Sequence, residues 1–253
     1  INLVSDVRLK RYIRDYFEDI KGEEIFISNK AKDAKERNKQ IQDLKKGHLD
    51  LIDVRLFGAV TAEEDRGGHF TGPVQFNWGY SLHPVEIVDS STITSSFSGG
   101  QGIGKDYRLY YSLIAFSGSV NANAAEETNL TEEDLKLFDE AMLNSIPLAR
   151  TRTKIGQYPR LYLRIELKGK DKFLKDLRSM VEVTSQNPNI VQNLRLIRNP
   201  EDYELNINPL IEYLNQNKEL ISCIHYWKDE QISIPDFDKI FIQDDWKKPL
   251  SLK

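Results

Sequence analysis

The chain has 253 residues, 40% hydrophobic and 10% aromatic, which is enough for one or two domains with a real core. Thirty-five Lys and Arg against 39 Asp and Glu leave a net charge of −4, which excludes a uniformly basic binder of the histone kind. Its one cysteine, Cys223, excludes an intramolecular disulfide framework and a multi-cysteine zinc site, and no apolar run reaches membrane-spanning length.

The first predicted element is an amphipathic helix over residues 5–20. Ser5 suits its N-cap and Asp6 the positive end of the helix dipole. Leu9, Ile13, Tyr16 and Ile20 recur at helical spacing, widened by Tyr12 and Phe17, and predict a core-facing stripe. Arg8, Arg11 and Arg14, three apart with Lys10 at the margin, predict an opposite face screened by Asp15 alone. Such a face is either solvated or tracks phosphates.

Residues 24–28 read as a short strand, the charged stretch 30–46 as an exposed helix or loop, and 49–60 as a central strand with Arg55 embedded. Gly67-Gly68 marks a turn or hairpin tip. Residues 74–78 alternate with period two. Gln75 and Asn77 share one face, where amides can meet nucleotide edges, and Val74, Phe76 and Trp78 share the other.

Residues 90–104, rich in Ser and Gly, read as a mobile loop. Residues 99–105 match the G-x-x-x-x-G-K spacing of a phosphate-binding loop, but Asp106 stands where a magnesium-binding hydroxyl is required. The preceding residues are no apolar strand, and 106–116 read as a strand rather than a helix. The plainer reading is a loop whose Lys105 and Arg108 sit near an anion.

Thr131 predicts the N-cap of a helix ending near residue 143, with acids in its first turn. Arg150, Arg152, Lys154 and Arg160 follow in a basic loop. A strand over 161–167, helices over 171–180 and 210–220, and strands over 222–227 and 239–243 complete an irregular α+β order. Charge is segregated along it. Residues 147–180 hold ten Lys or Arg against three acids, 120–142 seven acids against one lysine, and 200–253 eleven acids against six lysines. That pattern suits either solvated faces or a polyanion groove on an otherwise acidic surface.

Groups with catalytic chemistry are sparse. His48, His69, His83 and His225 are scattered, with no H-x-x-x-H pair and no cysteine partner, so the sequence gives little support for a metal or cofactor. Cys223 lies in an apolar strand and reads as core rather than nucleophile. His83 has no named partner for general-base work.

Four motifs in order carry a resemblance: Val4-Ser5-Asp6-Val7-Arg8-Leu9-Lys10-Arg11, Asp53-Val54-Arg55-Leu56-Phe57-Gly58, Gly72-Pro73-Val74-Gln75-Phe76, and Ser81-Leu82-His83-Pro84-Val85. Together with residues 107–121, Ala149-Arg150 and Leu161-Tyr162 they resemble the backbone subunit of type I CRISPR Cascade, in the RAMP superfamily, closest to subtype I-B. The resemblance runs through roughly residues 5–167. It implies a modified RRM or ferredoxin-like palm in a single domain. Thumb candidates are residues 62–71 and 90–105, and 120–146 form an acidic helical insertion. The first strand and loop that usually precede the basic helix are not found in the sequence, which suggests that N-terminal residues are missing.

The implied function is a cytoplasmic, non-catalytic subunit, free of cofactor and metal, that polymerises along CRISPR RNA beside other Cascade subunits and presents the guide to target DNA. RNA-contacting candidates, from these matched segments and, for Arg14, from the basic face of the first helix, are Arg8, Lys10, Arg11, Arg14, Arg55, Gln75, Asn77, Lys105, Arg108, Arg150 and Arg152. Two alternatives stay open: an RNA-processing endonuclease of the same superfamily, and a nucleotide hydrolase using Lys105.

Overall fold

The computed structural model describes residues 1–60, 69–88, 92–94, 103–105, 107–149 and 155–252, with backbone alone for 92–94 and 103–105. A two-residue strand, β1 (Leu3–Val4), directly precedes helix α1 (Asp6–Asp15), so a strand does lie before the basic helix. A π turn, Tyr16–Ile20, continues α1, and Leu9, Tyr12, Ile13, Tyr16 and Phe17 form its buried stripe. Ile20, predicted to join that stripe, is exposed at the end of the π turn, where five residues per hydrogen-bonded step carry it off the face.

Residues 24–28 form no strand. Ile25 and Phe26 are buried, but side chains and a local turn, rather than a neighbouring strand, take their backbone groups. Asp53 accepts from Phe26 N at 2.6 Å and Ile27 N at 3.1 Å, and Arg37 donates to Ile25 O at 3.0 Å. Arg37 itself belongs to helix α2 (Ala34–Asp43), capped by Asp33.

The predicted central strand over 49–60 is instead helix α3 (Ile52–Phe57) followed by strand β2 (Gly58–Val60). Helix α3 lies between two apolar clusters. Ile52, Leu56 and Phe57 pack with α1, while Leu51 and Val54 pack with Phe26 and Ile41. A helix buried on both sides places apolar residues all round, so residues 51–57 read as an apolar run with Asp53 and Arg55 embedded, which periodicity does not tell from a strand.

Strand β3 (His69–Thr71) returns antiparallel to β2. Then come β4 (Val74–Phe76), β5 (Gly79–Ser81), β6 (Thr92–Thr94), β7 (Ile103–Lys105), β8 (Ile114–Ala115) and β9 (Gly118–Val120). These six strands form the two arms of one antiparallel ribbon. Val74 pairs Val120, Tyr80 pairs Ala115, Ile87 bridges Leu109 and Thr92 pairs Lys105. The register slips by one residue at each of three steps, which adds twist as bulges do. β1 pairs with β5 on the ribbon's edge. Only residues 114–115 and 118–120 of the predicted 106–116 strand and its continuation are regular, because the bulges interrupt the ladder. The mobile-loop reading of 90–104 is likewise corrected at its two described stretches: 92–94 pair with 103–105.

Helices α4 (Ala122–Glu127) and α5 (Glu132–Asn144) follow. Thr131 caps α5 as predicted, its hydroxyl accepting from Asp134 N at 3.1 Å while Asp134 accepts from Thr131 N at 3.0 Å. Strand β10 (Leu161–Leu167) has the predicted bounds.

The predicted helix over 171–180 reduces to a 3-10 turn, Leu177–Met180; Leu174, Leu177 and Met180 pack inward at the three-residue spacing such a turn presents. Next come β11 (Glu182–Thr184), α6 (Pro188–Gln192), β12 (Glu204–Asn206), α7 (Asn208–Gln216), β13 (Ile221–Lys228) and β14 (Lys247–Pro249). β13 pairs antiparallel with β10 and parallel with β14. The predicted strand over 239–243 is a 3-10 turn, Phe237–Ile240, because Phe237, Ile240 and Phe241 bury at helical rather than alternating spacing. A second large core gathers here around Leu210, Leu214, Ile224 and Trp246. The fold is mixed α and β, with several small sheets.

Candidate nucleic-acid interface

The motif glycines meet at the neck of the β2–β3 hairpin. Gly58 adopts φ +75, and a Cβ there would stand 2.1 Å from Phe70 O; a Cβ on Gly72 would stand 2.0 Å from the Phe57 carbonyl carbon. Only glycine lets these backbones approach so closely.

Helix α1 lies against this neck. Lys10 Nζ donates to Gln75 Oε1 at 3.2 Å, and Gln75 Nε2 donates to Gly72 O at 2.8 Å. Lys10 and Arg14 stand 5.7 and 5.1 Å from the centre of the Phe57 ring. The structure thus joins three candidates, Lys10, Arg14 and Gln75, on residues from the first three motifs.

Of the six predicted cations whose side chains are described, Lys10, Arg11, Arg14 and Arg55 pair with carboxylates. Arg14 donates to Asp53 at 3.0 Å, and Asp53 is 1% exposed. Lys10 is buried, with Asp6 at 3.4 Å. Arg11 binds Asp15 and donates to Ile27 O at 2.8 Å. The expectation of four cations screened by Asp15 alone is therefore corrected: one turn of helix brings Asp6 to Lys10, and the chain fold brings Asp53 to Arg14. Of these four, Arg8 is exposed and has no side-chain partner among the described residues.

Arg55 is a cross-tie. It donates to both oxygens of Asp134, at 2.8 and 2.6 Å, and to Leu49 O at 3.1 Å. Its bond to Asp134 raises the guanidinium further, and although burial opposes the charged carboxylate, Arg55 and Thr131 hold Asp134 below the usual carboxylate value.

Gln75 and Asn77 are both exposed on the ribbon. Beyond Asn77 the register slip also turns Trp78 and Tyr80 outward, although alternation had placed Trp78 with Val74 and Phe76. Arg178 reaches this strip, donating to Trp78 O at 2.7 Å with its guanidinium 4.8 Å from the centre of the Tyr80 ring. Sequence reasoning missed these aromatic residues, whose outward turn depends on the bulge. Arg108 is exposed on the facing arm, and its carbonyl accepts from Val88 N at 2.9 Å. Lys105 ends β7; its side chain, like Arg150 and Arg152, lies outside the described residues.

His83 is buried. Its Nε2 accepts from Leu113 N at 3.2 Å and its Nδ1 donates to Pro84 O at 2.8 Å, a neutral tautomer that desolvation favours by lowering the imidazole's affinity for a proton. After β7 the next described helix is α4, so the strand–loop–helix context of a phosphate-binding loop is not seen among the described residues. Cys223 has its thiol pushed up to about 11 by burial and by Glu166, which disfavours a nucleophile. It does have a histidine partner, contrary to the sequence expectation. Cys223 and His225 lie two apart on β13, and β10 brings Glu166 to both.

The family described as CRISPR-associated protein Cas7 matches residues 1–208. A Haloferax volcanii protein named CRISPR-associated protein Cas7 is 27% identical over 290 residues, with 98% of this chain and 83% of that protein covered. Among solved structures, a chain of a CRISPR RNA-guided surveillance complex superposes with a TM-score of 0.53 at 15% identity, covering 100% of this chain and 82% of that one. Another, from such a complex before nicking, gives 0.53 at 12% identity, covering 93% and 87%.

Proposed function

The chain belongs to the CRISPR-associated protein Cas7 family, and from that premise we propose that it is a CRISPR RNA-binding backbone subunit of a type I, I-B-like surveillance complex. In this reading copies of the chain stack along the guide in the cytoplasm, beside other subunits, and grip its backbone. The bases stay free to pair with target DNA, so pairing supplies sequence specificity and the protein supplies shape.

The observation that carries the proposal is the Lys10–Gln75 bond. It sets the basic helix against the amide-bearing strand at the glycine neck, and in this reading the exposed groups of the two elements share one surface. We assign that surface to a palm of RRM-like descent, with the β2–β3 hairpin and the ribbon's β6–β7 end as thumb candidates. Arg8 supplies the exposed cation, and Trp78 and Tyr80 supply stacking faces. Binding without cleavage is favoured by the neutral, buried His83, which is placed to hold Leu113 rather than a phosphodiester.

The test is RNA retention by protein purified from cells carrying a CRISPR array and the partner subunits. Wild-type protein should retain repeat-spacer RNA of uniform length, released as salt rises. Arg8→Glu should fold normally and release it at lower salt, with a slope reduced by about 0.7 for each phosphate no longer neutralised. Unchanged retention by Arg8→Glu would remove α1 from the interface. Shortening of a repeat hairpin by the purified chain would favour the endonuclease.

A further inference from the structure

The face of the β10–β13 ladder turned away from the C-terminal core carries three ligand-type side chains. Glu166 pairs directly with Cys223 in the register, and His225 lies two residues on along β13. Cys223 Sγ is 3.5 Å from Glu166 Oε2 and 3.5 Å from His225 Nε2, and His225 Nε2 is 3.4 Å from Glu166 Oε2. These are the separations a tetrahedral ion sets. With Zn–S of about 2.3 Å and Zn–N and Zn–O of about 2.1 Å, sulfur stands about 3.6 Å from each other ligand and nitrogen about 3.4 Å from oxygen.

We propose that Cys223, His225 and Glu166 form a zinc site with one open coordination position. The donor set selects the metal. A thiolate with an imidazole suits zinc and its neighbours, whereas calcium and magnesium require oxygen throughout. On binding, the Cys223 thiol proton leaves to solvent, and thiolate and carboxylate together cancel the two charges of the ion. The other imidazole nitrogen, Nδ1, lies 3.9 Å from Asp139 Oδ2, on the side where a carboxylate orients a metal-bound histidine. Asp139 is itself fixed, accepting from Tyr162 Oη, Arg164 Nε and Arg164 Nη2, each at 2.7 Å. Because Asp139 belongs to α5, the ion would tie the C-terminal sheet to the N-terminal helical layer. The open position faces the exposed Glu166 side, where water or a ligand from outside can complete it.

The measurement uses the full chain, untagged, reduced and nuclease-treated, so that neither a histidine tag nor RNA supplies ligands. Titration with Co²⁺ should give one equivalent, with tetrahedral d–d bands and a thiolate-to-cobalt charge-transfer band that Zn²⁺ abolishes. Cys223 is the chain's one cysteine, so that band reports this residue alone. Cys223→Ser should lose it, and His225→Ala and Glu166→Gln should each weaken binding at least tenfold. Zn²⁺ should also raise the wild-type melting temperature and a chelator reverse the rise, a reading that needs no variant to fold. A folded wild-type chain with no thiolate band overturns the proposal. So does a band whose affinity is unchanged in both His225→Ala and Glu166→Gln, which would leave cysteine as a lone surface ligand.

Discussion

The arginines of α1 and α3 are used in opposite ways. Around α3, Arg14 and Arg55 are turned inward onto Asp53 and Asp134 and tie α1 and α5 to the helix between them. At the start of α1, Arg8 is exposed, as is the ribbon's outer strip of Gln75, Asn77, Trp78 and Tyr80. The inner set stabilises, since each charge is partly desolvated, and Asp53, Arg55 and Asp134 each carry several hydrogen bonds. The outer strip is exposed, and its contacts are light ones: Gln75 bonds Lys10 and Gly72 O, and Arg178 lies over the Tyr80 ring. A basic motif is therefore no measure of a basic surface; the carboxylates that the fold delivers decide it.

The largest effect in breaking this contrast is expected at Asp53. Asp53→Ala leaves Arg14 unpaired and removes the acceptor for Phe26 N and Ile27 N, so urea denaturation should show a loss of about 3–5 kcal/mol. An unchanged midpoint would show that the inner set is ornamental.

Arg55→Met should cost about 2–4 kcal/mol at neutral pH by leaving the buried Asp134 without its guanidinium. The pH dependence has a definite sign. Asp134 titrates below its unfolded value of about 3.9, so its contribution is present above that value and is lost as pH falls through the lower folded one. The gap between wild type and Asp134→Asn should be constant near neutrality and close below about pH 4. A gap that widens on acidification would contradict the pairing.

The smallest stability effect is expected at the outer set. Arg8→Ala and Tyr80→Ala should leave the urea midpoint close to wild type while loosening RNA, the first through salt dependence and the second through weakened stacking. Equal loss of stability and RNA in either variant would merge the two sets into one structural role.

Where burial was one-sided, local pattern was sufficient. The stripe of α1, the Thr131 cap of α5, β10 and most of β13 follow from spacing of the kind that one apolar face imposes. Where an element is buried on both sides, as α3 is, or its backbone is satisfied by side chains, as at residues 25–27, the pattern misleads, because the partner lies elsewhere in the sequence. The candidate interface divides likewise. The order of motifs, the basic helix and the two neck glycines are properties of the sequence by itself. Tertiary structure alone decided that Asp53 and Asp134 neutralise Arg14 and Arg55, that a register slip turns Trp78 outward, and that a strand pairing brings Glu166 to Cys223 and His225. Each is a contact between residues far apart along the chain, whose geometry is set by packing and register rather than by neighbouring residues.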